Sequence, residues 1–258
     1  MSFRSLFAAS AALLLIPAAV ANAAQVAALV GGDTIATVDT AQKKATGSVK
    51  VTGISGALVG IDVRPADGML YGLVDDGTVV TIAADGKATV KSKLDTMLAK
   101  GVTATVDFNP VADRLRVMGS DGMSLRANVD DGKVTKDGDH KYAETDMHKG
   151  EKPNVIAGAY TNSVKGTKET ALFNIDGTIG ALVKQAPPND GILGAVGKLG
   201  IKPATVAFDI WSDGSKNEAW LMADGTIYSV DLATGKATEA AKILGVTGKV
   251  TDIAITGM

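Results

Sequence analysis

Four aspartates recur inside short apolar runs: Asp62 in LVGIDV, Asp107 in ATVDF, Asp209 in TVAFDI and Asp252 in VTDIAI. Carboxylates gathered round one axis could seat a divalent cation or work as an acid and base pair. The plainer use of a group that repeats with the fold is to accept backbone hydrogen bonds from a neighbouring repeat, because a buried carboxylate needs partners. Arginines stand near these aspartates in the chain: Arg64, Arg114, Arg116 and Arg126, with Asn109 and Asp113 close by. A guanidinium fork suits a carboxylate or phosphate ligand, and equally an ion pair between repeats. Asn189 and Asp190 lie in the segment Pro187-Pro188-Asn189-Asp190-Gly191, either a ligand-bearing loop or a stiff turn set by two prolines. The candidate ligand-binding residues are therefore Asp62, Arg64, Asp107, Asn109, Arg114, Arg116, Asn189 and Asp190.

Both histidines, His140 and His148, fall in DGDHKYAETDMHKGE, residues 137–151. With Asp139, Glu144 and Asp146 they form a candidate site for zinc, copper or nickel, since imidazole and carboxylate make a suitable N/O shell. The spacing matches no standard motif, an EF-hand included, and a solvated charged loop is the ordinary alternative. If the protein binds a metal, the ligand types place it here rather than at the axial aspartates.

Other chemistries are excluded or unsupported. There is no cysteine, so disulfides, thiolate catalysis and Cys-ligated zinc are out. No G-x-S-x-G, H-E-x-x-H or P-loop occurs. A net charge of −2 without a basic run argues against nucleic acid. Trp211 and Trp220 suit sugar stacking or, more simply, packing.

The elements that must position these residues repeat. TIATVDTAQKKAT (34–46) and TIYSVDLATGKAT (226–238) align without a gap, and TVVTIAADGKAT (78–89) is one residue shorter. Each reads as a strand, a polar turn and a second strand. Weaker copies are placed at Leu125–Thr135 and Leu172–Asp176, so that Asp39, Ala83, Asn128, Asp176 and Asp231 mark five units 44 to 55 residues apart. Before each pair stand further strands, with Lys141–Thr145 as a weak inner strand and Asn154–Thr161 as a second strand in the fourth unit. A period of this length with four strands is the signature of a β-propeller. The predicted fold is all-β, a single five-bladed propeller closed by its N- and C-terminal strands, with six blades as the fallback. The 30 glycines and 4% aromatics suit many tight turns, and 46% hydrophobic residues suffice for a core. Ser92–Lys100 is the one short helical candidate.

Residues 1–23 read as a secretory signal peptide: Arg4, an apolar stretch, then Ala21-Asn22-Ala23 as a small-x-small cleavage site. The expected domains are a leader at 1–23 and a propeller at 24–258. The mature chain is expected to be a monomer without a membrane span, in the periplasm or outside the cell.

The pieces GIDVRPADGMLYGL (60–73), DFNPVADRLRV (107–117), AYTN (159–162), QAPPNDG (185–191) and IYSVDLATGKAT (227–238) resemble the exported bacterial family known as domain of unknown function 4394. The resemblance spans almost the whole chain after the leader and implies export and a propeller-like repeat. It brings no activity and no catalytic residues, and the segment 137–152 departs from it.

The leading expectation is an exported, non-enzymatic binding module for a small molecule or another exported protein. A metal-binding protein using residues 137–151 is one alternative, with a divalent cation the only cofactor implied. Another is a hydrolase or lyase with a base at Asp62 or Asp107 and anion stabilisation by Arg64 or Arg116, which requires those side chains to converge.

Overall fold

Inner strands of a radial fold are buried on both faces and need unbroken runs of apolar and small residues, whereas outer strands alternate. The chain obeys this rule. The computed structural model describes residues 24–202 and 205–257, and the expected leader lies outside the described residues. β1 (Gln25–Val30), β2 (Thr34–Asp39) and β3 (Lys44–Lys50) run outward as an antiparallel meander. In β1 every residue from Val26 to Val30 is buried, while β3 is largely exposed. The second blade is β4 (Leu58–Val63), β5 (Leu70–Val74), β6 (Thr78–Ile82) and β7 (Ala88–Lys93). The third is β8 (Ala104–Asn109), β9 (Arg114–Gly119), β10 (Ser124–Ala127) and β11 (Val134–Lys136).

The fourth blade has five strands. β12 (Lys141–Tyr142) pairs in parallel with the outermost full strand, and the meander is β13 (Val155–Tyr160), β14 (Leu172–Asp176), β15 (Ala181–Gln185) and β16 (Ile192–Lys198). The fifth is β17 (Ala207–Ser212), β18 (Asn217–Ala223), β19 (Thr226–Val230) and β20 (Ala237–Lys242). β21 (Val250–Gly257) then pairs antiparallel with β1 and supplies the inner strand of the first blade. The two ends of the described chain thus clasp the ring. Five sheets make five blades, and the inner strands β21, β4, β8, β13 and β17 neighbour one another in a closed circle.

The fourth blade corrects three expectations. Lys141–Thr145 is not an inner strand; its only strand residues, Lys141 and Tyr142, lie at the outer edge. Val155–Tyr160 is the inner strand, and Leu172–Asp176 is the second strand rather than the third. Lys141 and Glu144 cannot sit between two blades without partners, whereas VIAGAY can. Ser92–Lys100 is strand end and loop; the one helical turn among the described residues is 3-10, at Pro188–Asp190.

Each seam between blades holds its own apolar cluster, and there are five. Alternation along β1 divides its side chains between two of them: Val26, Ala28 and Val30 face the fifth blade, and Ala27 and Leu29 face the second. Between the second and third blades Tyr71 and Phe108 meet edge to face, their centroids 5.2 Å apart. A fully buried Leu or Phe at such a seam contributes about 1.5–3 kcal/mol. Asp76-Gly77, Asp121-Gly122 and Asp224-Gly225 turn between second and third strands, each glycine at positive φ. The first-to-second and third-to-fourth turns gather at the opposite end of the propeller, which is where most candidate residues lie.

Candidate functional site

The inner-strand aspartates face forward round the ring. The backbone N–H of Ile61 donates to Asp252 Oδ2 at 2.9 Å, that of Phe108 to Asp62 Oδ2 at 2.7 Å, that of Tyr160 to Asp107 Oδ1 at 2.9 Å, and that of Ile255 to Asp209 Oδ2 at 2.6 Å. In each case the donor belongs to the next blade. Asp62, Asp209 and Asp252 also accept the N–H of the residue that follows them, at 2.6 to 3.0 Å. All four residues are buried. The aspartates are thus staples between blades, held by fixed backbone donors rather than by mobile side chains.

These staples also collect charge. One oxygen each from Asp62, Asp107 and Asp209 lies within 4.8 Å of the other two, the only such group of three among the described residues. A cation about 2.4 Å from each oxygen spans that spread. Burial, and then the neighbouring carboxylates, hold Asp62 and Asp107 well above the usual carboxylate range. Burial pushes Asp209 up to about 6 and raises Asp252 well above its ordinary value. No arginine, lysine or histidine forms an ion pair with any of the four among the described residues. A cavity of about 140 Å³ reaches Asp62 and Asp209 at the turn end of the axis, bordered by Ser163, Trp211 and Thr256. At about 30 Å³ per water, it has room for roughly four waters beside an ion.

Sequence reasoning found the aspartates but not the rim. Ser163 and Thr256 sit just after an inner strand or near its end, and nothing in their local sequence marks them. Trp211 lies partly buried at this mouth with Lys216 Nζ 5.9 Å from its ring centroid, whereas Trp220 is buried in the seam between the fifth and first blades.

The arginines do not join the aspartates. Arg64 is held by both carboxylate oxygens of Asp113 (2.8 and 2.6 Å), by Asp130 (3.2 and 2.9 Å) and by Tyr71 Oη (3.1 Å), which ties the second blade to the turns of the third. Those partners, Asp113 first, raise its pKa, and the guanidinium holds Asp130 down to about 2. Arg116 is wholly buried, with Tyr160 Oη, Ser124 Oγ, Asp137 Oδ2 and Asn189 Oδ1 at 2.6 to 2.9 Å. Asn189 thus serves the seam between the third and fourth blades, while Asp190 is exposed beside it. Asn109 caps its turn by accepting the N–H groups of Val111 and Ala112, both at 2.9 Å. Arg114 bonds the carbonyls of Ala112 and Asp113.

Neither histidine belongs to the one close group of three potential ligands among the described residues. His140 is buried, with neither ring nitrogen hydrogen bonded, and burial lowers its pKa to about 4. His148 Nδ1 lies 3.1 Å from Glu151 Oε2. Asp146 spends its oxygens on the N–H groups of His148 and Ala195, Glu144 pairs with Lys149, and exposed Asp139 lies 3.6 Å from Lys136. Asp146 ties the segment to the outermost full strand of the fourth blade, while Glu144 and Asp139 pair with nearby lysines.

Comparison with known proteins adds a family and a fold. The family described as Domain of unknown function (DUF4394) matches residues 34–254. No curated protein matches. The chain is similar to a crystal structure of a protein of unknown function from Bacteroides thetaiotaomicron VPI-5482, with 16% identity and a TM-score of 0.55. That match covers 91% of this chain and 64% of the other. A protein of unknown function from Bacteroides caccae matches at 13% identity and a TM-score of 0.46, over 88% of this chain and 76% of that one. The glutaminyl cyclase of Myxococcus xanthus matches at 12% identity and a TM-score of 0.43, over 76% of this chain and 69% of that one. The 0.55 match supports the fold alone.

Proposed function

This chain belongs to the DUF4394 family, and from that premise we propose that it is an exported, non-enzymatic binding module that seats a hard divalent cation at the mouth of its propeller axis. The observation that carries the reading is the convergence of Asp62, Asp107 and Asp209, buried together without a cationic side chain. Oxygen ligands alone favour calcium or a similar hard ion over zinc or copper. The cavity beside Asp62 and Asp209 supports water or an oxygen-bearing ligand on the outward face of the ion. Export rests on the leader-like residues 1–23.

Binding is favoured over hydrolysis by the fate of the arginines. A lyase or hydrolase built on Asp62 or Asp107 needs Arg64 or Arg116 within about 3 Å of a common reacting atom. Both guanidiniums are instead saturated by partners in the seams.

Calorimetric titration of the chain from Ala24 with calcium, magnesium and zinc tests the proposal. Calcium is expected to bind with a stoichiometry near one. The Asp62→Asn/Asp107→Asn double variant keeps acceptors for the Phe108 and Tyr160 N–H groups but loses the charge, so it should fold and not bind. Calcium binding that survives in the double variant, or no binding by the wild type, overturns the reading.

A further inference from the structure

We propose a second, oppositely charged site: a pocket for a small oxyanion on the third blade. A cavity of about 190 Å³ is lined by Arg114, Arg126, Asn128, Asp131, Lys133 and Thr135, with no aliphatic or aromatic side chain among them. It lies away from the axial aspartates and shares no residue with the cation seat. Arg114 begins β9, Arg126 and Thr135 face each other across β10 and β11, and Asn128 to Lys133 form the turn between those strands.

The charge of the pocket follows from its partners. Asp137 is bonded at once by Arg116 Nη1 (2.6 Å) and by Arg126 Nε and Nη2 (2.6 and 2.9 Å). One carboxylate between two guanidiniums leaves about one positive charge uncompensated, and Arg126 Nη1 makes no hydrogen bond to a described residue. Arg114 is oriented by Nη1 donating to the carbonyls of Ala112 and Asp113, neutral acceptors that leave its charge whole. Lys133 makes no ion pair among the described residues. Against these stands Asp131, whose Oδ1 accepts the Lys133 backbone N–H at 3.0 Å. The sum remains positive, and the Asn128 amide and Thr135 hydroxyl add neutral polar groups.

The volume equals that of about six waters, enough for a tetrahedral oxyanion or a carboxylate headgroup and too small for a nucleotide. Guanidinium forks held in place by other bonds lose little freedom on binding such a group. The ligand class is therefore a small oxyanion: inorganic phosphate, sulfate or the carboxylate of an acidic sugar.

Calorimetry tests this with the chain from Ala24 stripped of metal by chelator and then dialysed free of it into a non-anionic buffer, so that the axial seat plays no part. Inorganic phosphate, sulfate and glucuronate are titrated separately, and the tightest of the three identifies the source. Lys133→Ala and Arg114→Gln should each weaken binding about tenfold, the loss of one charge-assisted contact. Asp131→Asn, which keeps the turn's acceptor, should tighten it. Added sodium chloride should weaken it throughout. Because Arg114 also steadies a turn, Lys133→Ala decides if that variant melts early. No binding of any of the three anions, or equal binding by wild type and Lys133→Ala, overturns the proposal.

Discussion

The seam between the fourth and fifth blades is built differently from the other four. In those four, an inner-strand aspartate accepts an N–H from the next blade. β13 reads VIAGAY and has no aspartate to offer β17. At this seam the turn-end link is a pair of amides: Asn217 Oδ1 accepts the Asn162 N–H at 2.6 Å, and Asn217 Nδ2 donates to Asn162 Oδ1 at 2.9 Å. At the other end a cavity of about 680 Å³ opens among Ile156, Ile175, Leu199, Ile201 and Val206. Neutral amides do the joining there without adding charge to the axis. The contrast shows that a seam of this ring can be linked at its turn end by neutral amides, whereas the other four use buried carboxyl groups.

That contrast can be broken by removing a staple. Asp252→Ala leaves the N–H groups of Ile61 and Ile253 buried and unpaired, and should cost about 4 kcal/mol at roughly 1–3 kcal/mol per group. Urea unfolding reads this directly. Asp252→Asn, with an oxygen still in place, should recover most of it. If alanine and asparagine cost the same, the aspartate is no staple.

A slightly smaller effect comes from pH. The folded protein holds Asp209 protonated to about pH 6, whereas the unfolded chain releases that proton near 4. Between these values the unfolded state binds fewer protons, so stability declines as pH rises. In chelator the loss should total about 3 kcal/mol, complete near pH 7, with Asp62 and Asp107 extending it further upward. Asp209→Asn should flatten the first part of the profile. Calcium at pH 7.5 should restore the lost stability, because an ion takes the place of the protons. A melting temperature in chelator that climbs from pH 5 to 8 is the contrary outcome.

Asn162→Ala sharpens the comparison from the other side. The variant loses the Asn217 Nδ2 bond and the Asn162 Nδ2 bond to the Glu169 carbonyl but keeps the backbone N–H bond to Asn217 Oδ1, so it should cost about 1–2 kcal/mol, with no change in calcium affinity. A fall in calcium affinity would mean that the amide seam and the axial carboxylates act as one unit.

The same contrast explains which features were legible in the chain. Three nearly identical hairpins made the blade period readable, and the pairing of β21 with β1 followed from strands left without partners at each end. The fourth blade is hard to read in sequence because Asp176 resembles Asp39 and Asp231, which follow third strands, or end them, in two other blades. Its actual work is to accept Tyr142 Oη and the N–H groups of Asn154, Thr178 and Ile179. Repetition also revealed the aspartates, but sequence spacing does not fix how close side chains come at the axis of a ring. Residues 137–151 show the opposite relation between sequence and side-chain partners. Ligand-type residues are dense there, yet a backbone amide takes Asp146, a lysine takes Glu144 and two arginines take Asp137, while the His140 ring is buried without a partner.

The cation seat is tested most directly by a crystal structure of the chain from Ala24 grown with calcium or terbium, read by anomalous scattering. One peak is predicted between Asp62, Asp107 and Asp209, about 2.4 Å from an oxygen of each. An axis without a peak, or a peak found only beside His148 and Glu151, would contradict it.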